Sequence, residues 1–391
     1  MQLSQRAEAV EPFHAMAFGD IAAGLERSGH RVVRLNLGEP DFGAPAAVRL
    51  AMVDAMDGRP LPYTSALGTR ALRERLSWFY RMRHGVDVDP ARIAVTMGGS
   101  AALDLAVAAT VDPGTDVLMA DPSYPCNRQI VTTFGGNPVT VPTSPQTRFQ
   151  LTEDLVRDAW TPGTRAVMIA SPSNPTGTSL SAETLAAVCA VARERGAWRI
   201  VDEIYLDLAD VDRKGRRPRS VLAWDPDAIV VNSFSKSFGM TGWRLGWCVL
   251  PEALVDPVER LATNMFLSPS APVQHAALAC FTPGSLAEAE ERRLELLERR
   301  TLMLDGLARI GLPVACPPDG AFYAFADVSS TGLDAWTFAD RALREARVAI
   351  TPGRDFGATH ADTHVRLSYA VSREAIIEGI ERLGQLIVSL R

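Results

Sequence analysis

Amine chemistry has few places to happen in this chain. Of its 40 basic residues only Lys214 and Lys236 are lysine, and the rest are arginine, whose guanidinium stays protonated and cannot serve as a nucleophile. Lys214 lies in Asp212-Arg-Lys-Gly-Arg-Arg217, which reads as a solvated loop. Lys236 sits in Ser233-Phe-Ser235-Lys236, eight residues before the arginine of Thr241-Gly-Trp-Arg244. A deprotonated lysine can attack an aldehyde or remove a proton. Other groups with chemical use are Gly98-Gly99-Ser100-Ala101, Tyr124, Asn174 in Asn174-Pro-Thr-Gly177, and the acid and phenol of Asp202-Glu-Ile-Tyr205. The glycine-rich stretch can offer free backbone N–H groups to an anion.

What positions these groups is a series of short apolar runs alternating with helical stretches. Strands are predicted over 92–96, 116–120, 165–170, 198–202 and 228–232, with helices over 101–110 and 182–195. Apolar runs alternating with helices predict a mainly parallel sheet covered on both faces, a three-layer α/β/α domain. Each chemical group follows one of these strands, and ligands of such sheets bind beyond the strands' carboxyl ends. The C-terminal third changes character. Helices over 285–307, 335–346 and 373–390, with strands over 321–326 and 364–368, predict a smaller α+β domain. The expected division is residues 1–45 as an arm and part of the small domain, 46–280 as the large domain and 281–391 as the small one. The junction is expected in the helical region beginning near Ala276.

Gathered at the strand ends, these groups match the needs of a pyridoxal ring, pyridoxal 5'-phosphate. The aldehyde needs Lys236. The phosphate suits a helix start at Gly99, Ser100 and Ala101, with Arg244 as a bidentate cation and Ser233 or Ser235 as hydroxyl donors. A carboxylate such as Asp202 against the ring nitrogen keeps it protonated, making the ring an electron sink. Tyr205 and Asn174 suit the phenolic oxygen, and Tyr124 could stack on the ring. With these motifs in order, the sequence resembles the class I/II aminotransferases, the large fold-type-I family of pyridoxal-phosphate enzymes. Leu37-Gly-Glu-Pro-Asp41, Tyr63-Thr with Gly68, Gly320-Ala-Phe-Tyr323 and Val365-Arg366-Leu-Ser368 add to the likeness, which spans nearly the whole chain. The resemblance implies amino transfer between an L-amino acid and a 2-oxo acid, and a homodimer with shared active sites. It also implies that Tyr63 reaches the phosphate of the other subunit, Arg366 grips the substrate carboxylate and Gly38 lies beside the substrate.

Composition narrows the alternatives. With 47% apolar and 22% charged residues the chain reads as globular. No run is long and uncharged enough to predict a membrane span, and a net charge of −6 gives no reason to expect nucleic acid as a partner. Five scattered cysteines and a charged first twenty residues predict reduced thiols in the cytoplasm. His360-Ala-Asp-Thr-His364 has metal-like spacing but reads as a solvated loop, so no metal site is expected. A C–S lyase or decarboxylase on the same cofactor is the nearer alternative. A non-catalytic regulator is the more distant one, because Leu37-Gly-Glu-Pro begins too early to leave room for a DNA-binding segment. Ser100 stands where some acidic-substrate relatives carry a lysine, which weakens an aspartate or glutamate specialist. Alanine, branched and aromatic donors stay open, with 2-oxoglutarate or pyruvate as acceptor. Pro12-Phe-His-Ala-Met16 is expected over the site.

Overall fold

The computed structural model describes residues 3–390. After β1 (Val33–Arg34), seven strands form one sheet: β2 (Ile93–Thr96), β3 (Asp116–Asp121), β4 (Asn137–Pro142), β5 (Thr164–Ala170), β6 (Trp198–Asp202), β7 (Ile229–Ser233) and β8 (Gly246–Val249). Their spatial order is β2-β8-β7-β6-β5-β3-β4. The ladder from β7 to β4 is parallel, and β8 alone runs antiparallel to both of its neighbours.

The sheet is buried on both faces because successive side chains of a strand point to opposite sides. Val95, Leu118, Val167, Val201, Val230 and Trp247 enter one core with Leu185 and Val188 of the helix Ala182–Glu194. Their neighbours Ala94, Val117, Met168, Ile200, Ile229 and Cys248 enter the other, with Leu103 and Val107 of Gly98–Thr110 and Val258 of Glu252–Phe266. Helices thus cover both faces, as the apolar runs predict. Two strands escape the sequence pattern. β4 is an edge strand carrying Pro138 and Pro142, residues that an edge tolerates because a proline has no N–H to give a ladder. β8 has only four residues and follows directly on a functional loop.

A third core joins the two ends of the chain. Val33 and Leu35 share it with Phe322, Leu343, Val348, Val365 and Ile380. There β1 pairs with β10 (Val348–Ala349), while β11 (Thr351–Pro352), β12 (His364–Ser368) and β9 (Tyr323–Asp327) form an antiparallel sheet. The predicted strand at 321–326 begins later, at Tyr323, because Ala321 takes a left-handed φ of 53°. The helix Pro283–Arg309, about 40 Å long at 1.5 Å per residue, lays Leu286 against the first core and Leu296, Met303 and Leu307 into the third. Before it, the region near Ala276 is not one helix but Ala271–Ala277 followed by a 3₁₀ turn, Leu278–Phe281.

His364 departs from the expectation of a solvated loop. It lies buried in β12, stacked on Phe325 at 4.7 Å, and burial pushes its imidazole down to about 4. His360 is bonded through Nε2 to the Thr143 carbonyl at 2.9 Å. Among the described residues no group of three or more His, Cys, Asp or Glu is placed to hold a metal ion, and no helix is long and apolar enough to cross a membrane.

Candidate active site

A cleft of about 470 Å³ opens where the carboxyl ends of β5, β6 and β7 face the third core, within the size range of small-molecule sites. The helix Gly98–Thr110 begins at Gly98, three residues earlier than the predicted start, so Gly98-Gly-Ser form its first turn. Its N-cap, Met97, makes no side-chain hydrogen bond to that turn, and the orphan N–H groups and the positive helix end are left for an anion. Gly98 has a φ of +85°, and a Cβ there would lie 2.5 Å from Arg244 Nη2, so the guanidinium occupies the space that glycine leaves. Arg244 itself is left-handed, φ 52°, and exposed. Gly99, Ser100, Ser235 and Arg244 line the cleft together. Ser233 does not; its hydroxyl donates to the Leu245 carbonyl at 3.1 Å and meets Ser235 Oγ at 2.8 Å. Ala101 is buried and does not line the cleft either.

Lys236 enters from the loop after β7 and donates to the Gly38 carbonyl at 2.7 Å. Burial pushes its amine down to about 8, with Arg366 and Arg244 acting the same way and Glu39 and Asp202 opposing. Asp202, at the end of β6, accepts from the Ile204 N–H at 2.9 Å. Its own burial raises it to about 6, against that N–H and the nearby Lys236 charge. Tyr205 and Tyr323 share a hydrogen bond of 2.7 Å, OH to OH, beside the same space. Tyr124 and Asn174 line the wall.

Arg366, from β12, is 2% exposed, a costly place for a cation unless its donors are used. Nη1 donates to Asn174 Oδ1 at 2.9 Å and Nη2 to the Asn36 carbonyl at 2.6 Å, while the guanidinium lies 4.5 Å from the centre of the Tyr323 ring. Gly38 stands close by: a Cβ on it would be 2.7 Å from the Tyr323 hydroxyl. Phe13, Ala15 and Met16 line the cleft from above, as expected for Pro12–Met16. Tyr63 stands apart, 80% exposed and outside the cleft. Sequence reasoning gave no role to Tyr323, Glu39 or Asn36, which also line the cleft. The first two stood inside motifs already singled out, whereas Asn36 acts through its carbonyl and carries no side-chain signal.

A parallel-sheet domain with its lysine on a strand-end loop, joined to a small α+β unit that brings in an arginine, has the architecture of the fold-type-I transferases. The chain belongs to the aminotransferase class I and II family, whose model it matches over residues 30–383, and it is an aminotransferase. It is 40% identical to the valine–pyruvate aminotransferase of Mycobacterium tuberculosis, covering 97% of both chains. Identity to the probable aspartate/prephenate aminotransferase of Thermus aquaticus is 36%, over 98% of both. Among solved structures, an aminotransferase from Mycobacterium tuberculosis superposes with a TM-score of 0.95 at 38% identity, over 100% of both chains. The Thermus thermophilus aspartate aminotransferase with maleate gives 0.92 at 35%, over 99% of this chain and 100% of that one.

Proposed function

We propose that this aminotransferase works with pyridoxal 5'-phosphate held at Lys236, in the cytoplasm and as a homodimer, and takes apolar L-amino acids as donors with a 2-oxo acid such as pyruvate as acceptor. The observation that carries the reading is the convergence on one cleft of an amine pushed down to about 8 and a buried arginine anchored from two sides. The residues fit the cofactor. The open N-terminus of Gly98–Thr110, through Gly99 and Ser100, would hold the phosphate with Ser235 and Arg244, while Ser233 would act only by supporting Ser235 from behind. Asp202 would face the ring nitrogen, Tyr205 and Asn174 the phenolic oxygen and Tyr124 the ring.

When bound, pyridoxal phosphate supplies an aldehyde for the amino group and a ring that accepts the electron pair released with the α-proton. Lys236 is the residue that takes that proton and returns it, and an amine with a lowered pKa suits both tasks near neutral pH. Arg366 grips the substrate carboxylate and so fixes which bond faces Lys236, a positioning contribution. Gly38 keeps the approach open next to Tyr323.

Two features support apolar donors. Lys236, Arg244 and Arg366 are the cations among the lining residues, and each has a role above, so none is spare for a second carboxylate. The remaining wall carries Phe13, Ala15, Met16, Leu37 and Ile204, and the acid Glu39. The relative named for valine and pyruvate agrees. Exposed Leu50, Val53, Met56 and Leu61 lie in the same stretch as Tyr63 and support a subunit interface, through which Tyr63 would reach the other subunit's phosphate. The proposed domains are residues 46–280 around the large sheet and 281–391 with part of 1–45 around the third core.

The test is an absorbance titration of the reconstituted protein with single amino acids and no acceptor. A shift of the cofactor band with one equivalent of 2-oxo acid released is expected for valine, leucine or alanine. Pyruvate and ammonia from cysteine or serine with an unmoved band would make it a lyase. Absence of any cofactor band after reconstitution would overturn the reading.

A further inference from the structure

The helix His14–Arg27 places Phe13, its N-cap residue, and Ala15 and Met16 of its first turn in the lining of the cleft, yet no side chain of its own caps it. Its cap comes from 340 residues away. Asp355 accepts the His14 N–H at 2.9 Å and the Ala15 N–H at 2.6 Å, one on each carboxylate oxygen. We propose that Asp355 is a positioning residue that sets side-chain selectivity, by fastening this first turn so that Phe13 and Met16 close the apolar end of the cleft. The inference rests on the donor class proposed above.

The latch is itself firmly held. Asp355 is 3% exposed, and Arg128 donates to its carbonyl and to that of Phe356, both at 2.9 Å. The Ser123 N–H donates to the Phe356 carbonyl at 2.8 Å, and Asp121 Oδ2 accepts from Ala358 and Thr359 at 3.0 and 3.3 Å. Gly357 lies so close to Asp121 that a Cβ would be 1.9 Å from its Oδ1. The turn carrying Asp355 is therefore tied to the carboxyl end of β3, where the chain goes on to Tyr124. Phe13 meets that tyrosine edge-on, with ring centres 6.4 Å apart. On the other side the Phe356 ring lies 5.0 Å from the Arg366 guanidinium. One short turn thus fixes the cover relative both to the wall and to the proposed carboxylate grip. The rest of the helix rests on Trp336, which His14 and Phe18 meet edge-on at 5.2 and 5.3 Å. Without the carboxylate the first turn keeps a packed flank and a long 3.5 Å bond from Asn36 Nδ2 to the Ala15 carbonyl, but loses both of its short N–H bonds to Asp355.

The experiment compares wild type, Asp355→Ala and Asp355→Asn as holoenzymes, by steady-state kinetics with alanine and with leucine and by amide exchange of residues 13–16. For Asp355→Ala, exchange at His14 and Ala15 is expected to rise about tenfold, and KM for leucine about tenfold with kcat changed less than about threefold, while KM for alanine moves less than about twofold. Asp355→Asn keeps one acceptor and should fall between. Equal factors for the two donors, or unchanged exchange, would overturn the proposal. If Asp355→Ala does not fold, Phe13→Ala and Met16→Ala decide the question: they should raise KM for leucine at least about fivefold more than KM for alanine, and equal factors for the two donors would sink the idea. Should the wild type turn over neither donor, the proposed donor class fails, while the exchange result still reports on the latch.

Discussion

On the floor of the cleft, Asp202, Tyr205, Ser235 and Lys236 follow the ends of two adjacent parallel strands, β6 and β7, whose register is fixed by a sheet buried on both faces. On the roof, Phe13, Met16, Gly38 and Arg366 come from an N-terminal segment and from β12, held together by hydrogen bonds that cross more than 300 residues of sequence. The floor is positioned by one sheet, whereas the roof joins a strand of the third core to an N-terminal turn through a few polar ties. A rigid floor suits bond-making, where small displacements are costly, and a tied roof suits recognition, where substrates differ in shape.

That contrast can be broken or sharpened. Lys236→Ala on the floor should lower kcat by at least about 10³-fold, with substrate affinity largely kept, as single-turnover kinetics would read. If the variant keeps activity, the floor does not hold the chemistry. Arg366→Leu on the roof should lower kcat/KM about 100-fold, mostly through KM, as the loss of a charge-assisted contact implies. A loss confined to kcat would erase the division of labour. For the apoprotein, the reaction of Lys236 with an amine-directed reagent should rise with pH through about 8, because burial lowers its amine to that value. A midpoint near the ordinary lysine value of about 10.4 would mean that the floor does not desolvate it.

Glu203 gives a finer test of the floor. It is 2% exposed and accepts from the Val221 N–H at 2.6 Å through Oε1, while Oε2 finds no partner among the described residues. Burial pushes its carboxyl up to about 8. The folded protein therefore keeps a proton there that the unfolded chain has lost, and stability from this source falls as the pH rises from the ordinary glutamate range through about 8. The slope is at most about 1.4 kcal/mol per pH unit. Glu203→Gln should flatten that part of a melting-temperature profile; an unaltered profile would show that the site is wetter than its geometry implies. The smallest effect expected is Tyr323→Phe, which removes one neutral hydrogen bond and should cost about 2- to 10-fold in kcat/KM.

The same contrast explains what could be read from residues alone. Strand ends that deliver Asp202 and Lys236 are preceded by runs such as Trp198-Arg-Ile-Val, whose pattern is local, so the floor was legible as a set. Arg366 was legible only through a family likeness, since an arginine inside a strand says nothing of what it will face. Asp355 left no signal at all: Gly353-Arg-Asp-Phe gives no hint that its carboxylate caps a helix near the other end of the chain. Edge strand β4, carrying two prolines, and the four-residue β8 fell below what a local pattern can reveal.

Lysine scarcity has a practical corollary. Lys214 stands exposed in the turn after Asp212, whose Oδ1 accepts its N–H at 2.8 Å, whereas Lys236 lies deep in the cleft. Amine-reactive dyes, cross-linkers or resin supports would therefore meet one exposed side-chain amine per chain. Side-chain labelling is then directed to the Asp212–Arg217 turn, which does not line the cleft, without engineering.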